Sequence, residues 1–284
     1  MELVEAVIAA RARDLGGVVV DRVLPAIGRK AIGPFLFLDH MGPTETALTV
    51  RPHPHIHLAT VTYLFEGAIM HRDSLGSVQL ITPGAINWMV AGKGIVHSER
   101  PPETPGRLHG LQIWVGLPSA LEDSAPSFVH TPAEAMPVVA RPGARIRVLA
   151  GSAFGATSPV VTQSPLFYAD LELDAGAELE LPAEYAERAV YVVDGSINVG
   201  GATDLAARHL AVLTAGSVAP IRALTPARAV VFGGEPLDGM RHMWWNFVSS
   251  SRERIAAAAD DWRNRRFPHI PDDDTDLIPA PAGP

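Results

Sequence analysis

The stretch YLFEGAI, residues 63–69, has the pattern of a β-strand that ends in a tight acidic-glycine turn and continues as a second strand. A second version of it, YVVDGSI, occupies residues 191–197. Further along each half, ITPGAI at residues 81–86 and LTAGSV at residues 213–218 share a T-x-G turn that leads into another strand. Because such internal similarity indicates a duplicated unit, we predict two copies of one antiparallel β-barrel.

Strand signals surround both copies. They are short runs rich in β-branched and aromatic residues, bounded by Gly, Pro or Asp. The predicted strands are residues 16–24, 34–39, 59–66, 86–90 and 108–115 in the first half, and 145–149, 167–173, 189–193, 209–213 and 228–232 in the second. Residues 130–144 lose this pattern and carry three prolines. We therefore expect an N-terminal domain at 3–129, a linker at 130–144 and a C-terminal domain at 145–268.

A helix is predicted at about residues 250–265, inside the C-terminal domain. Ser250 and Glu253 have the spacing of a capping box. The apolar residues that follow fall on one helical face; they are Ile255, Ala258, Ala259 and Trp262. The acidic and proline-rich tail at 269–284 lacks the central glycine and closing glutamate of a calcium loop, so we expect it to be solvated.

The composition excludes several classes of function. A net charge of -8 disfavours binding to nucleic acid or to an anionic membrane. The absence of cysteine excludes disulfides, thiolate catalysis and Cys-based zinc or iron–sulfur sites. No run approaches the roughly 20 apolar residues of a membrane helix, and the N-terminus lacks the pattern of a signal peptide. We expect a monomeric cytoplasmic protein that contacts neither nucleic acid nor membrane.

The segment RPHPHIH, residues 51–57, carries the residues most suited to chemistry. Side chains two apart on a strand point to the same side, so His53 and His55 would project together with Cα atoms about 6.6 Å apart. His97 and Glu99 have the same spacing. If the two pairs lie on neighbouring strands, three imidazole nitrogens and one carboxylate oxygen converge. We therefore predict that these four residues bind a metal.

The ligand types narrow the choice of metal without settling it. Imidazole and carboxylate suit iron, and they also suit manganese, nickel, copper and zinc. Four protein ligands on an ion that prefers six would leave two positions for dioxygen and a chelating substrate. Such a site is reactive, which favours an enzyme over a passive binding protein.

The second half supplies apolar residues where the first supplies ligands. Matching Tyr63 to Tyr191 places Leu181 and Ala183 at the positions of His53 and His55, and matching Gly84 to Gly216 places Ala229 and Val231 at those of His97 and Glu99. We therefore predict one metal per chain, in the first domain, and an empty copy in the second.

Three other histidines receive weaker predictions. His57 shares the strand face of His53 but lies about 13 Å from it along an extended strand, too far to bind the same ion. We interpret it as a pocket residue or as a support for the ligands. His71 and His109 lie in or near strands, and we expect them to form hydrogen bonds.

The chain resembles the pirin family over nearly its whole length. The matching stretches are HPHIHLATVTYLFEG (53–67), HRDSLG (71–76), PGAINWM (83–89), AGKGIVHSERP (91–101) and HGLQIWV (109–115), then GGEP (233–236), WNFV (245–248) and RNRRFP (263–268). The resemblance implies a bicupin, an all-β protein of two cupin-type antiparallel barrels, here with a C-terminal helix.

The resemblance also implies the metal site. The HPH and HxE motifs of the family fall on His53, His55, His97 and Glu99, and the family metal is usually iron. This chain departs from the family at His57, where a glycine is common. The glutamate that cupins in general carry in their first motif is also absent, since Ala59 and Thr60 stand at that position.

Two functions follow from the resemblance. Some pirins behave as quercetin 2,3-dioxygenases, in which the metal binds a flavonol and dioxygen and the ring is cleaved with loss of carbon monoxide. Glu99 could then be both ligand and catalytic base. Other pirins are non-catalytic, redox-sensing partners of transcription or metabolic proteins. The expected partner is accordingly a small aromatic substrate or another protein, and we favour the enzyme.

Overall fold

The computed structural model describes residues 2–14 and 18–283. Within them the chain consists of antiparallel β-strands, short 3-10 turns and one α-helix, and it divides into two compact units. Unit 1 contains Val20–Asp39 and Glu134–Pro236 together with the N-terminal residues up to Asp14. Unit 2 contains His40–Ala133 and the chain from Leu237 onward. The predicted all-β architecture with a C-terminal helix is confirmed.

The strands are numbered in chain order. They are β1 (Val4–Ala9), β2 (Arg11–Asp14), β3 (Val19–Leu24), β4 (Phe35–Thr44), β5 (Val50–His55), β6 (Leu58–Glu66), β7 (Ile69–Asp73), β8 (Val78–Ile81), β9 (Ile86–Val90), β10 (Ile95–Arg100), β11 (Leu108–Gly116), β12 (Ser127–Thr131) and β13 (Val138–Arg141). The list continues with β14 (Ala144–Ala153), β15 (Ala156–Thr157), β16 (Leu166–Leu173), β17 (Glu178–Leu181), β18 (Glu187–Asp194), β19 (Ser196–Val199), β20 (Thr203–Ala206), β21 (His209–Leu213), β22 (Ala219–Ala223), β23 (Ala227–Gly234), β24 (His242–Trp244) and β25 (Phe247–Ser249).

The predicted strands fall on observed ones. Of the prediction at 16–24, residues 16 and 17 lie outside the described part of the chain, and the rest contains β3. The segment predicted as a linker, 130–144, contains the end of β12, a 3-10 turn at Ala133–Ala135 and β13.

Each unit contains a larger and a smaller sheet, and among the described residues neither unit forms one closed barrel. In unit 2 the smaller sheet has the order β5-β10-β7-β8, and the larger one includes β12-β9-β6-β11. In unit 1 the smaller sheet has the order β17-β22-β19-β20, and the larger one has the order β1-β21-β18-β23-β16-β14-β13. The same strand order in both smaller sheets supports the predicted duplication.

The acidic-glycine turns of the two repeats have the same backbone form. Gly67 and Gly195 both have positive φ, of 83° and 75°, a conformation that costs glycine little and other residues more. A Cβ at either position would overlap a backbone carbonyl just before the neighbouring strand, that of Arg107 in one unit and that of Pro226 in the other. Both the conformation and the close approach therefore require glycine, which explains why the motif recurs.

One part of the predicted repeat alignment is wrong. Gly84 precedes β9, whereas Gly216 follows β21, so the two T-x-G turns occupy different places in the fold. Ala229 and Val231 consequently lie on β23 of the larger sheet, and they are not the counterparts of the second ligand pair.

The strand registers identify the true counterparts. When the two acidic-glycine turns are aligned, Leu181 corresponds to His53. Leu181 pairs with Ala219 as His53 pairs with His97, so Ala219 corresponds to His97. By the same pairing, Ile221 corresponds to Glu99. These residues are buried in the apolar core of unit 1. Leu181 is the counterpart of His53 as predicted, whereas Ala219 and Ile221 take the places assigned to Ala229 and Val231. The empty second copy stays a prediction, now based on these residues.

The helix α1 spans Arg252–Arg263, and its N-cap is Ser251, one residue later than the predicted Ser250. The Ser251 hydroxyl accepts a hydrogen bond from the Arg254 amide, whereas the Ser250 hydroxyl donates to the carboxylate of Glu122. The predicted buried face is confirmed, since Ile255, Ala258, Ala259 and Trp262 are all buried. This face packs against Phe247 and other apolar residues of unit 2. No helix of the described residues has the length and apolarity needed to cross a membrane.

Candidate metal centre

Three histidines of unit 2 converge on one point. His53 and His55 are on β5, and His97 is on the adjacent β10, directly opposite His53. Directly opposed residues of antiparallel strands have their side chains on the same face. One ring nitrogen of each histidine lies within 4.8 Å of those of the other two, and all three side chains are buried. The structure thus brings together the three histidines that their spacing had grouped.

Backbone carbonyls fix the orientation of two of these rings. The Nδ1 of His53 donates to the carbonyl of Arg51 at 2.8 Å, and the Nδ1 of His55 donates to the carbonyl of Asn246 at 2.9 Å. Because a carbonyl can only accept, each Nδ1 carries the proton and each Nε2 presents a lone pair. This is the outer support usual for metal-binding histidines.

His97 lacks a corresponding support. Its Nε2 lies 3.1 Å from the Nε2 of His55, but its Nδ1 is buried without a hydrogen-bond partner among the described residues. Its ring is in contact with those of His53 and His71, with centroid distances of 4.3 and 5.4 Å. The orientation of His97 therefore depends on the position of β10 and on ring packing.

Burial keeps the three imidazoles neutral near pH 7. It lowers the pKa of His53 to about 4, and it holds the pKa of His55 and of His97 well below the usual value. Repulsion between the neighbouring imidazolium charges adds to the effect. Only neutral imidazole binds a metal. The donor set therefore fits a transition-metal ion in chemistry, orientation and protonation.

Glu99 is buried on β10 but lies outside the group of three nitrogens. It is opposite His71 in the strand register, and it accepts a long hydrogen bond of 3.4 Å from the Thr62 hydroxyl. Burial raises the pKa of its carboxyl group to about 7, against the smaller lowering effect of the hydrogen bond. The structure thus brings three of the four predicted ligands together, and coordination by Glu99 stays a prediction.

His57 belongs to a different cluster. β5 ends at His55, and His57 has a φ of 59°, so the extended-strand geometry assumed for it does not apply. Its Nδ1 lies 3.2 Å from the carboxylate of Glu122. A positive φ is the conformation that favours glycine, which accounts for the glycine common at this position in pirins. A supporting role for His57 toward the metal stays a prediction.

Sequence reasoning missed the partner of His71. The Nε2 of His71 donates to the buried carboxylate of Asp73 at 3.0 Å, and its ring stacks on Phe128 with centroids 4.2 Å apart. The i,i+2 spacing of His71 and Asp73 on β7 was the available signal. The hydrogen bonds predicted for His71 and His109 are both confirmed, since the Nε2 of His109 lies 2.7 Å from that of His40.

Two family models match the chain. The model described as Pirin matches residues 17–115, and the model described as Pirin C-terminal cupin domain matches residues 168–268. The chain belongs to the pirin family. The predicted family and the bicupin organisation are therefore confirmed.

Individual relatives agree with the family models. A pirin-like protein of Caulobacter vibrioides is 46% identical and aligns over 98% of this chain and 100% of its own length. Human pirin is 34% identical over 86% of this chain and 87% of its own. A crystal structure named as quercetin 2,3-dioxygenase from Acinetobacter baumannii superposes with a TM-score of 0.93 at 36% identity, over 98% of this chain and 95% of that one.

Proposed function

We propose that this protein binds one transition-metal ion, iron in the cell, and is a dioxygenase of the quercetin 2,3-dioxygenase type that acts on a flavonol-like substrate. The ligands would be His53, His55, His97 and Glu99. The convergence of three buried, neutral imidazoles supports the metal site. The likeness to a protein named as a quercetin 2,3-dioxygenase supports the substrate class.

The convergence of the histidines is the observation on which the proposal depends. Three imidazoles and one carboxylate would leave positions free on an ion that takes six ligands. When bound, the metal would supply Lewis acidity toward the substrate oxygens and redox chemistry toward dioxygen. Manganese, nickel, copper or zinc could occupy the same ligands, with different reactivity.

The protein's own contribution would be to orient the ligands and to handle one proton. The carbonyls of Arg51 and Asn246 keep the lone pairs of His53 and His55 directed into the site. Glu99 is the buried carboxylate on the same strand as His97. We assign to its oxygens the proton that a flavonol hydroxyl must lose before ring cleavage.

Oxygen consumption tests the proposal. The purified protein should be stripped with a chelator, loaded with Fe2+ under nitrogen and mixed with quercetin in air-saturated buffer. We expect oxygen uptake with release of one carbon monoxide per flavonol consumed. His55→Ala should abolish the reaction. His209→Ala is the matched control, since His209 lies in unit 1 and its Nδ1 donates to the backbone carbonyl of Ala207.

The outcomes separate the two functions implied by the family. Oxygen uptake that requires both metal and flavonol supports the enzyme. Metal binding at one ion per chain, without oxygen uptake for any flavonol, would refute the dioxygenase and favour the redox-responsive binding protein. The proposal also includes a cytoplasmic location and a monomeric state, which cell fractionation and light scattering would test.

A further inference from the structure

The acidic tail behind α1 is not free in solvent, contrary to expectation. Its middle part, residues 270–280, is here called the strap. The carboxylate of Asp273 accepts a hydrogen bond of 2.7 Å from the Ser98 hydroxyl and two from the Arg100 guanidinium, at 2.6 and 3.1 Å. Asp276 also accepts two hydrogen bonds from the Arg100 guanidinium, at 2.8 and 3.3 Å, but among the described residues it has no hydrogen bond to Ser98. The strap is thus attached to β10 chiefly through Asp273.

The residues that Asp273 holds are interleaved with two of the proposed ligands. Ser98 lies between His97 and Glu99, and Arg100 follows Glu99. Because side chains alternate along a strand, Ser98 and Arg100 project from the face opposite to that of the ligands. Asp273 therefore binds β10 on the face opposite to the ligands.

The strap also contacts the strand that carries the other two histidines. The amide of Ile278 donates to the carbonyl of Pro52 at 2.9 Å, immediately before His53. The carbonyl of Ile278 in turn accepts the indole N–H of Trp262, on α1, at 2.9 Å. β5 is the edge strand of its sheet, and edge strands leave backbone groups without a partner in the sheet. The strap satisfies one such group beside the metal centre.

We propose that Asp273 is a positioning residue for the metal centre, and that docking of the strap and binding of the metal stabilise each other. The inference rests on the proposed metal site. Its physical basis is the unsupported ring of His97, whose Nδ1 has no hydrogen bond among the described residues. The position of this ring is set by β10, which Asp273 holds through Ser98.

Thermodynamic linkage requires that the coupling between strap docking and metal binding be reciprocal. If the docked strap raises metal affinity by some factor, bound metal must favour docking by the same factor. Loss of an outer support typically weakens metal binding by about 10- to 100-fold. We expect the lower end of that range, about 10-fold, because Asp273 acts on the ligands through the strand and does not touch them.

The test measures dissociation constants for Fe2+ by anaerobic calorimetry in a series of variants. Asp273→Asn replaces the charged acceptor of the Ser98 hydroxyl by a neutral one, and Ser98→Ala removes the donor, so each should weaken binding about 10-fold. The double variant should be little weaker than either, since both act on the same hydrogen bond. Asp276→Asn removes an ion pair to Arg100 but spares Ser98. Asp272→Asn also removes one negative charge, but at the exposed position next to Asp273. Both controls should bind Fe2+ within about twofold of the wild type.

A second measurement tests the reverse effect, that of bound metal on docking of the strap. Hydrogen exchange of the Ile278 amide in the wild type should slow by about 10-fold on addition of Fe2+, and it should not respond to Fe2+ in Asp273→Asn. Circular dichroism of the metal-free variants controls for loss of the fold, and Ser98→Ala provides an independent route if Asp273→Asn does not fold.

The possible results are distinguishable. Equal affinity in Asp273→Asn and Asp272→Asn would overturn the inference and leave the proposed metal site intact. So would equal losses in Asp273→Asn and Asp276→Asn, because they would show that the ion pairs merely stabilise the fold. Failure of the wild type to bind Fe2+ would overturn the proposed function itself, and the inference with it.

Discussion

Replacement of Glu99 by glutamine should stabilise the metal-free protein at alkaline pH and have little effect at acidic pH. Burial raises the pKa of Glu99 to about 7 in the folded protein, against a usual value of 4.5. The folded state therefore holds its proton more tightly than the unfolded state does. Stability contributed by this group is complete below pH 4.5 and is lost as the pH rises to about 7.

The magnitude follows from the two pKa values. At about 1.4 kcal/mol per pH unit, the interval between them corresponds to roughly 3 kcal/mol lost above pH 7. Glutamine has nearly the same size but cannot ionise, so the variant avoids this loss. The buried histidines titrate in the wild type and in the variant alike, and their contribution largely cancels when the two are compared.

The assay is urea unfolding of chelator-treated wild type and Glu99→Gln at pH 5 and pH 8.5. Between pH 5 and pH 8.5, the free energy of unfolding of the variant should rise by about 2–3 kcal/mol relative to that of the wild type. Glu103→Gln, at an exposed position, is the matched control and should show no such trend. A pH-independent difference for Glu99→Gln would refute the assignment of Glu99 as a buried ionisable group. Saturation with Fe2+ should reverse the sign, because the wild-type carboxylate then faces a cation.

Three further predictions concern the centre and its supports. His55→Ala should lose most of the bound metal while His209→Ala keeps it, as measured by elemental analysis after loading; retention in His55→Ala would contradict the ligand assignment. If His57 supports the ligands as predicted, His57→Gly should weaken metal binding several-fold in calorimetry although its ring lies outside the three-histidine group; binding within about twofold of the wild type would contradict that role. Trp262→Ala should lower the free energy of unfolding by about 3–5 kcal/mol in urea, because a buried ring that packs on Phe267 is lost; a change below about 1 kcal/mol would contradict that packing.

The sequence predicted the parts of the fold that depend on local pattern. Strands such as β9 and β21 alternate or concentrate apolar residues strongly enough to be recognised. The three histidines were found because residues two apart on a strand share a face. Only the start of β7 was predicted, as the strand after the acidic-glycine turn, because the rest of its sequence, IMHRD, carries polar residues toward the site. Hydrophobic patterns fail where side chains serve chemistry instead of the core.

Other features depend on contacts that no local pattern encodes. The hydrogen bond between Ser98 and Asp273 joins residues 175 positions apart, so the aspartates of the tail gave no sign of where they would bind. The N-cap of α1 falls on the last of three consecutive serines, Ser249 to Ser251, because Ser250 is engaged by Glu122. The counterparts of the second ligand pair were misplaced for a similar reason, since two like turns stand between different strands.

The most direct test of the account is anomalous X-ray diffraction at the iron absorption edge from crystals of the iron-loaded protein. We predict one peak per chain, within coordination distance of the Nε2 atoms of His53, His55 and His97, and no peak in the core of unit 1. A loaded protein with no peak at the three histidines, or with its iron bound elsewhere, would contradict the account.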